Sequence, residues 1–278
     1  MIKINSIKEI IHKYENYIID QWGVIHNGEI AYKHAIDTID YLKRKNKNLF
    51  IISNSSKRKK SSEEKLPKLG FDKSSFTNVQ TSGEMIWKFI HDKHKKDEYK
   101  KKCFHIYDDT KEDGLLFREV LNLSFVDIID DADFILACTP FINLQPIDYI
   151  PILDKAINQR LIMYCANPDF ETIQNDNNKN IFCMGAIAEI YNKMGGEVII
   201  LGKPEKEIYI ETTKYSNLDK AKTIAIGDSI FHDIKGANNF SIDSILVKSG
   251  IHKDLKTINI LCENHQIQPT YLINDFSI

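Results

Sequence analysis

Long apolar runs are missing from this chain. No stretch is long enough to cross a bilayer, so no membrane span is expected. Paired cysteines are missing too. The five cysteines are odd in number and scattered (Cys103, Cys138, Cys165, Cys183, Cys262), with no C-x-x-C pair. Neither a disulfide framework nor a zinc site is indicated, and a reducing, cytoplasmic compartment fits such a set. An excess of one charge is absent as well, since the net charge is −2. No strong global field then favours nucleic acid or an anionic membrane surface. Residues 1–11 alternate charged and apolar side chains without a continuous apolar core, so a secretory signal is not expected there. What is present is an ordinary globular composition, 42% hydrophobic and 27% charged, with enough length for one large domain or two smaller ones.

A short apolar run, Tyr17-Ile18-Ile19, ends abruptly in Asp20 and soon reaches Gly23. Such a run reads as a buried strand of a parallel sheet. A carboxylate just past it sits where open α/β sheets place their ligands. Taken alone, Asp20 reads equally well as a strand-end cap.

The remaining pattern alternates strands and helices. A short amphipathic helix is expected over 1–14, a loop over 21–31 and a helix over 34–45. Strand 48–52 then runs into Ser53-Asn54-Ser55-Ser56. The basic run Lys57-Arg58-Lys59-Lys60 begins a helix and reads as a solvated face, because no aromatics are interleaved for nucleic acid. Strand 77–80 and a helix from Ser82 to about 91 complete the first series. Ser82 is the expected N-cap, and the segment also suits a hinge. The charged stretch 93–102 suits a connection between domains.

A second series follows, with strands expected over 103–107, 125–128, 133–138 and 161–166, and helices over 112–121 and 146–158. The Asn- and Lys-rich tract 174–180 reads as an exposed loop. Helix 185–193 leads into strand 197–201 and Gly202-Lys203-Pro204. Helix 205–215, strand 223–226, helix 233–239, strand 244–247 and a last strand within 269–273 resume the first series. The expected fold is therefore α/β: a doubly wound parallel-sheet core over 1–83 and 186–278, with an α/β cap inserted over 84–185.

Four core strands are expected to end in Asp20, Ser53, Lys203 and Asp228. In a parallel sheet these ends share one edge and can converge on one crevice. Two acids, a hydroxyl and a lysine in one crevice suit a metal and a phosphate. Carboxylates hold Mg²⁺ and leave room for phosphate oxygens. Ser53 and Lys203 can neutralise phosphoryl charge, and Asp20 can attack phosphorus. The bland alternative is four unrelated polar strand ends.

These residues carry a family resemblance. The chain resembles the haloacid dehalogenase (HAD) superfamily of hydrolases, in the capped branch of nitrophenylphosphatase-like and nucleotide-phosphatase-like enzymes, subfamily IIA. Ile18-Ile19-Asp20-Gln21-Trp22-Gly23-Val24 fits the first motif, and Phe50-Ile51-Ile52-Ser53-Asn54 the second. Gly202-Lys203-Pro204 fits the third, and Ile226-Gly227-Asp228-Ser229-Ile230-Phe231-His232-Asp233 the fourth. Ala166-Asn167-Pro168-Asp169 is similar to a cap signature of that branch. The resemblance implies a Rossmann-like core and an Mg²⁺-dependent phosphohydrolase of a small phosphorylated metabolite. It implies an aspartyl-phosphate on Asp20, with Ser53 and Lys203 as its catalytic companions. Ser53, Asn54, Lys203 and Asp169 would bind substrate. Asp20, the Trp22 main-chain carbonyl, Asp228 and Asp233 would serve the metal. Neither nucleic acid nor a membrane is an expected partner. Capped hydrolases often pair through the cap, so a homodimer is expected by fold-level analogy.

One position departs from the family pattern. The second aspartate of the first motif, the usual general acid and base, is Trp22 here. The metal contact at that position is a main-chain carbonyl, which a tryptophan retains. Protonation of the leaving group and activation of water should weaken, and such help is worth about a hundred- to ten-thousand-fold in rate. Substrates with good leaving groups should then be favoured, and a phosphoenzyme should accumulate. His26 and His232 are candidate replacements, although a histidine near a strand end is more often simply hydrogen-bonded. Trp22 reads as a wall of the site or an aromatic platform, and Cys165 as a small buried residue. Asn167-Pro168-Asp169 reads equally as a turn or as a segment reaching the site. Two other functions fit the same motifs: a non-catalytic phosphate-ligand-binding regulator, and a phosphotransferase.

Overall fold

Two all-parallel sheets carry the chain in the computed structural model, which describes residues 1–94, 101–110, 117–119, 121–174, 179–252 and 254–278. The chain begins with strands β1 (Ile2–Lys3) and β2 (Asn16–Ile19), helix α1 (Lys33–Arg44), strand β3 (Asn48–Ser53) and helix α2 (Lys59–Lys68). Strand β4 (Asn78–Thr81) and helix α3 (Ser82–His94) follow. The middle holds β5 (Lys102–Ile106), β6 (Ser124–Val126), β7 (Phe134–Ala137), α4 (Ile150–Asn158), β8 (Ile162–Cys165), β9 (Glu171–Gln174), β10 (Lys179–Phe182), α5 (Met184–Lys193) and β11 (Glu197–Ile200). The last part holds α6 (Lys206–Thr213), β12 (Thr223–Gly227), α7 (Lys235–Phe240), β13 (Asp243–Val247), α8 (Leu255–His265) and β14 (Tyr271–Ile273).

The seven-stranded sheet has the order β1-β14-β13-β12-β2-β3-β4. Its central strands are apolar on both faces because helices cover both. Tyr17, Ile19 and Ile51 pack with Ile39 and Leu42 of α1 and Leu66 of α2. Ile18, Phe50 and Ile52 face the other way, toward Ile208 and Tyr209 of α6 and Phe240 of α7. From β2 the chain winds outward through β3 and β4, whereas β12 lies on the other side of β2. The ends of β2 and β12 therefore flank the point where the winding reverses, the place where open α/β sheets form a crevice.

The five-stranded sheet has the order β11-β8-β7-β5-β6. Ile187 and Tyr191 of α5 and Leu153 of α4 cover one face. Ile86 and Ile90 of α3 cover the other.

The expected α/β architecture is the observed one, with several local differences. Strand 197–200 does not belong to the core sheet. It pairs with β8 in parallel, Glu197 opposite Ile162 through Ile200 opposite Cys165. The inserted unit thus runs on past residue 185 to the end of β11, and Lys203 follows a strand of that unit. The expected helix over 1–14 is instead a two-residue edge strand and one helical turn. Ser6 caps that turn, and Glu9 returns to the main-chain N–H groups of Asn5 and Ser6. Ile4, Ile7 and Ile10 are buried at a spacing of three that imitates a helical stripe. Of the tract 174–180 expected as an exposed loop, Gln174 ends β9 and Lys179 and Asn180 begin its antiparallel partner β10; residues 175–178 lie outside the described residues. Residues 95–100 of the charged connection and 111–116 and 120 of the expected helix 112–121 also lie outside them. Helix α8 is an element the sequence pattern did not suggest.

Candidate active site

Asp20 follows β2 directly, and its N–H donates to the Ile226 carbonyl of β12 at 2.9 Å. That bond ties the two strand ends together at the reversal point. Asp228 follows β12 in turn. Lys203 reaches the same place from the loop after β11. Its Nζ donates to Asp20 Oδ1 at 2.5 Å and to Asp233 Oδ1 at 2.7 Å. All four side chains are buried. Ligand atoms of Asp20, Asp228 and Asp233 lie within 4.8 Å of one another.

Each carboxylate is held differently. Asp233 lies in a single wide turn, Ile230–Ile234, where the Ile234 N–H donates to the Ser229 carbonyl five residues back. Its Oδ2 accepts from Ser229 N at 3.1 Å, so both its oxygens are engaged. Asp228 Oδ2 accepts from Ile251 N at 3.0 Å. Gly23, at φ +81°, and Gly250 both press their main chains against the Asp228 carboxylate, and a Cβ at either would collide with it.

Electrostatics follow from burial. Removal from water raises the Asp20 carboxyl, and the Lys203 ammonium pulls it back. Burial also raises Asp228, and the charges of Asp20 and Asp233 add to the rise. Burial opposes the Lys203 charge, but Asp20, Asp233 and Asp169 outweigh it and keep the ammonium protonated. Three buried carboxylates against one lysine leave an excess of negative charge. Oxygen ligands of that charge suit a hard divalent cation such as Mg²⁺.

The second strand end contributes differently. Ser53 is the last residue of β3, and its hydroxyl accepts from Ser55 N at 3.3 Å. Asn54 bridges three elements. Its Oδ1 accepts from Lys203 N at 2.8 Å, and its Nδ2 donates to Lys203 O at 3.0 Å and to Asp169 Oδ1 at 2.8 Å. Asp169 therefore reaches the site from the loop after β8. Asn167 Oδ1 also accepts from Asp169 N at 3.2 Å, so the segment is a turn and a bridge at once.

Trp22 is 39% exposed and turns toward its own loop. Its ring meets His26 edge-on at 5.8 Å, and Gly28 leaves room for it. That arrangement makes it a wall. His26 is buried, and its Nδ1 accepts from Gly28 N at 2.9 Å. His232 Nε2 lies 3.1 Å from the Pro168 carbonyl and Nδ1 lies 3.0 Å from Ser229 Oγ. The carbonyl requires the proton on Nε2. Cys165 is buried, its thiol pushed up to about 12 by burial. Thr81, rather than Ser82, caps α3: its hydroxyl accepts from Glu84 N at 3.0 Å. Sequence reasoning missed Ile251 N and Gly250, which hold Asp228 from the loop after β13. A glycine at the end of a core strand was the available signal.

Comparison with known proteins fits this geometry. A family model described as haloacid dehalogenase-like hydrolase matches residues 17–116, and a HAD-hydrolase-like model matches residues 200–277. The two follow the core's own order and together span more than half of the chain. The chain belongs to the haloacid dehalogenase-like hydrolases. One relative, the acid sugar phosphatase of Staphylococcus haemolyticus, is 25% identical over 269 residues, 95% of each chain. The haloacid dehalogenase-like hydrolase domain-containing protein 2 of Rattus norvegicus is 32% identical over 74 residues, 24% of this chain and only 29% of that one. The crystal structure of a haloacid dehalogenase-like hydrolase from Brucella suis superposes with a TM-score of 0.82 at 24% identity, covering 98% of this chain and 99% of that one. The HAD fold of the present hydrolase thus extends over both sheets. Among its described residues, no helix is long and apolar enough to cross a membrane.

Proposed function

We propose that this HAD hydrolase is an Mg²⁺-dependent phosphatase of a small phosphorylated metabolite, working through an aspartyl-phosphate on Asp20. The observation that carries the reading is the contact of Lys203 Nζ with Asp20 Oδ1 at 2.5 Å, beside buried Asp228 at the reversal point of the sheet. Asp20, Asp228 and the main-chain carbonyl of Trp22 would hold the cation, with Asp233 beside them anchoring Lys203. Bound there, the cation would neutralise phosphoryl charge and orient the phosphorus toward Asp20.

The chain's own residues account for the rest. Asp20 forms a bond to phosphorus as the bond to the leaving oxygen breaks. Lys203 and the Ser53 hydroxyl stabilise charge on the phosphoryl oxygens. Asn54 fixes the main chain of Lys203, so the ammonium arrives already oriented. Water then attacks phosphorus and frees Asp20. Asp169 faces the substrate from the inserted unit.

Small phosphorylated molecules are the partners this reading favours. The basic run gives little support to nucleic acid, because Arg58 is paired with Glu84 at 2.7 Å and Lys59 donates to Asn78 at 2.5 Å. The free cysteines support a reducing, cytoplasmic setting.

A screen of phosphorylated compounds with Mg²⁺, run beside Asp20→Asn, tests the proposal. Turnover that disappears with the substitution is the expected result. Trp22 favours one other reading, a phosphate-binding regulator. Equal binding without turnover in both proteins would establish that reading instead.

A further inference from the structure

Two residues after the nucleophile this HAD site carries Trp22, and an indole cannot transfer a proton at neutral pH. The neighbours are already committed. His26 is buried with Nδ1 engaged by Gly28 N, and it faces the cations Lys65 and Lys57. His232 is held at both ring nitrogens, by Pro168 and Ser229. Asp233 divides its oxygens between Lys203 and Ser229.

Asp169 is different. Its Oδ1 accepts from Asn54 and lies 3.4 Å from His232 Nδ1. Its Oδ2 has no hydrogen bond among the described residues, and its side chain is 35% exposed. It lies one side chain away from Lys203, across Asn54, and near enough to act on the charges of Asp20, Lys203, His232 and Cys165. It is thus a carboxyl group that is held on one oxygen, open on the other, and joined through Asn54 to the lysine that touches the nucleophile.

We propose that Asp169, brought in by the inserted unit, is the proton carrier of this site. The proposal rests on the phosphatase reading. In the first step Asp20 bonds to phosphorus, the bond from phosphorus to the leaving oxygen breaks, and the proton of the Asp169 carboxyl passes to that oxygen. In the second, water oxygen bonds to phosphorus, its proton returns to Asp169, and the bond from phosphorus to Asp20 breaks. Phosphate leaves, Asp20 is again a carboxylate, and Asp169 is again protonated. The carrier therefore belongs to the wall that a substrate's leaving group meets, and not to the strand of the nucleophile.

The test compares an aryl phosphate, 4-nitrophenyl phosphate, with an alkyl phosphate, glycerol phosphate, in the full chain with Mg²⁺. In Asp169→Asn, kcat on the alkyl phosphate should fall about a hundred-fold or more, whereas the aryl phosphate, whose leaving group needs little protonation, should lose about ten-fold or less. KM should stay within a few-fold, and one limb of the kcat–pH profile on the alkyl phosphate should vanish. Retained aryl turnover shows that the variant is folded. In Asp169→Ala, added formate should restore part of the alkyl rate. An equal loss on both substrates, a loss confined to KM, or an unchanged pH profile would overturn the proposal. Absence of any Asp20-dependent turnover in the unsubstituted protein would overturn the phosphatase reading first, and this proposal with it.

Discussion

The side chain of Asn54 grips the main chain of Lys203 from both sides, accepting from its N–H and donating to its carbonyl. A residue at the end of β3 thereby fixes a lysine that enters from another sheet. The lysine's ammonium then rests between Asp20 and Asp233.

That arrangement predicts unequal costs. Lys203→Met leaves the buried carboxylates without their cation and should destabilise the metal-free protein by about 3–5 kcal/mol. Asp20→Asn removes a charge from a cluster with too many and should cost much less. Both should abolish turnover. Urea denaturation of the two variants checks the difference, and equal losses would show that Lys203 is not the counter-charge.

Mg²⁺ should raise the melting temperature of the unsubstituted protein. A cation at a hundred-fold excess over its dissociation constant adds about 3 kcal/mol. In Asp228→Asn the same Mg²⁺ concentrations should produce little shift. A full shift in that variant would place the cation elsewhere.

Acid should cost the fold stability at its buried histidines before the ordinary carboxylates titrate, while the raised carboxyls of Asp20 and Asp228 act in the opposite sense. Burial, with Lys65 and Lys57 nearby, lowers His26 from 6.5 to about 4. Between those values the unfolded chain binds a proton that the folded chain refuses, so stability falls as pH drops through that window. At 1.36 kcal/mol per unit the full effect is about 3 kcal/mol. His105, buried in the inserted unit and lowered to about 3, acts in the same sense. His26→Asn should flatten the pH dependence of unfolding between about pH 6.5 and pH 4; an unchanged slope would exclude His26 as a contributor.

Two adjacent hydroxyls at the start of α3 should behave oppositely. Thr81 caps the helix and also donates to Lys57 O at 2.5 Å. Thr81→Ala should cost about 1–2 kcal/mol. Ser82 Oγ is buried without a partner among the described residues. Ser82→Ala should be neutral or slightly stabilising. Chemical denaturation of the two variants separates them.

Much of this was legible in the residues. Apolar runs ending in Asp20, Ser53 and Asp228 reveal buried parallel strands and their polar ends, because each signal is local. The origin of Lys203 was not legible. Val198-Ile199-Ile200 has the same character whichever sheet it joins, and the choice of β8 as partner is made over 30 residues of separation. Ile4, Ile7 and Ile10 misled for a related reason: pairing of Ile2 with Tyr271 outweighs a local helical spacing. The support of Asp228 by Ile251 N comes from a loop whose course only the fold determines. Thr81 and Ser82 have nearly the same capping chemistry, and only the helix's starting angle separates them.

The membership of β11 sets the seams along which this molecule could be recombined with its relatives. A swap of the inserted unit that ended near residue 185 would strip β8 of its neighbour along Ile162–Cys165 and leave a bare edge open to pairing with other chains. A seam between Ile200 and Gly202 keeps that edge covered, and Lys203, just past the seam, stays with the core that holds its two aspartates.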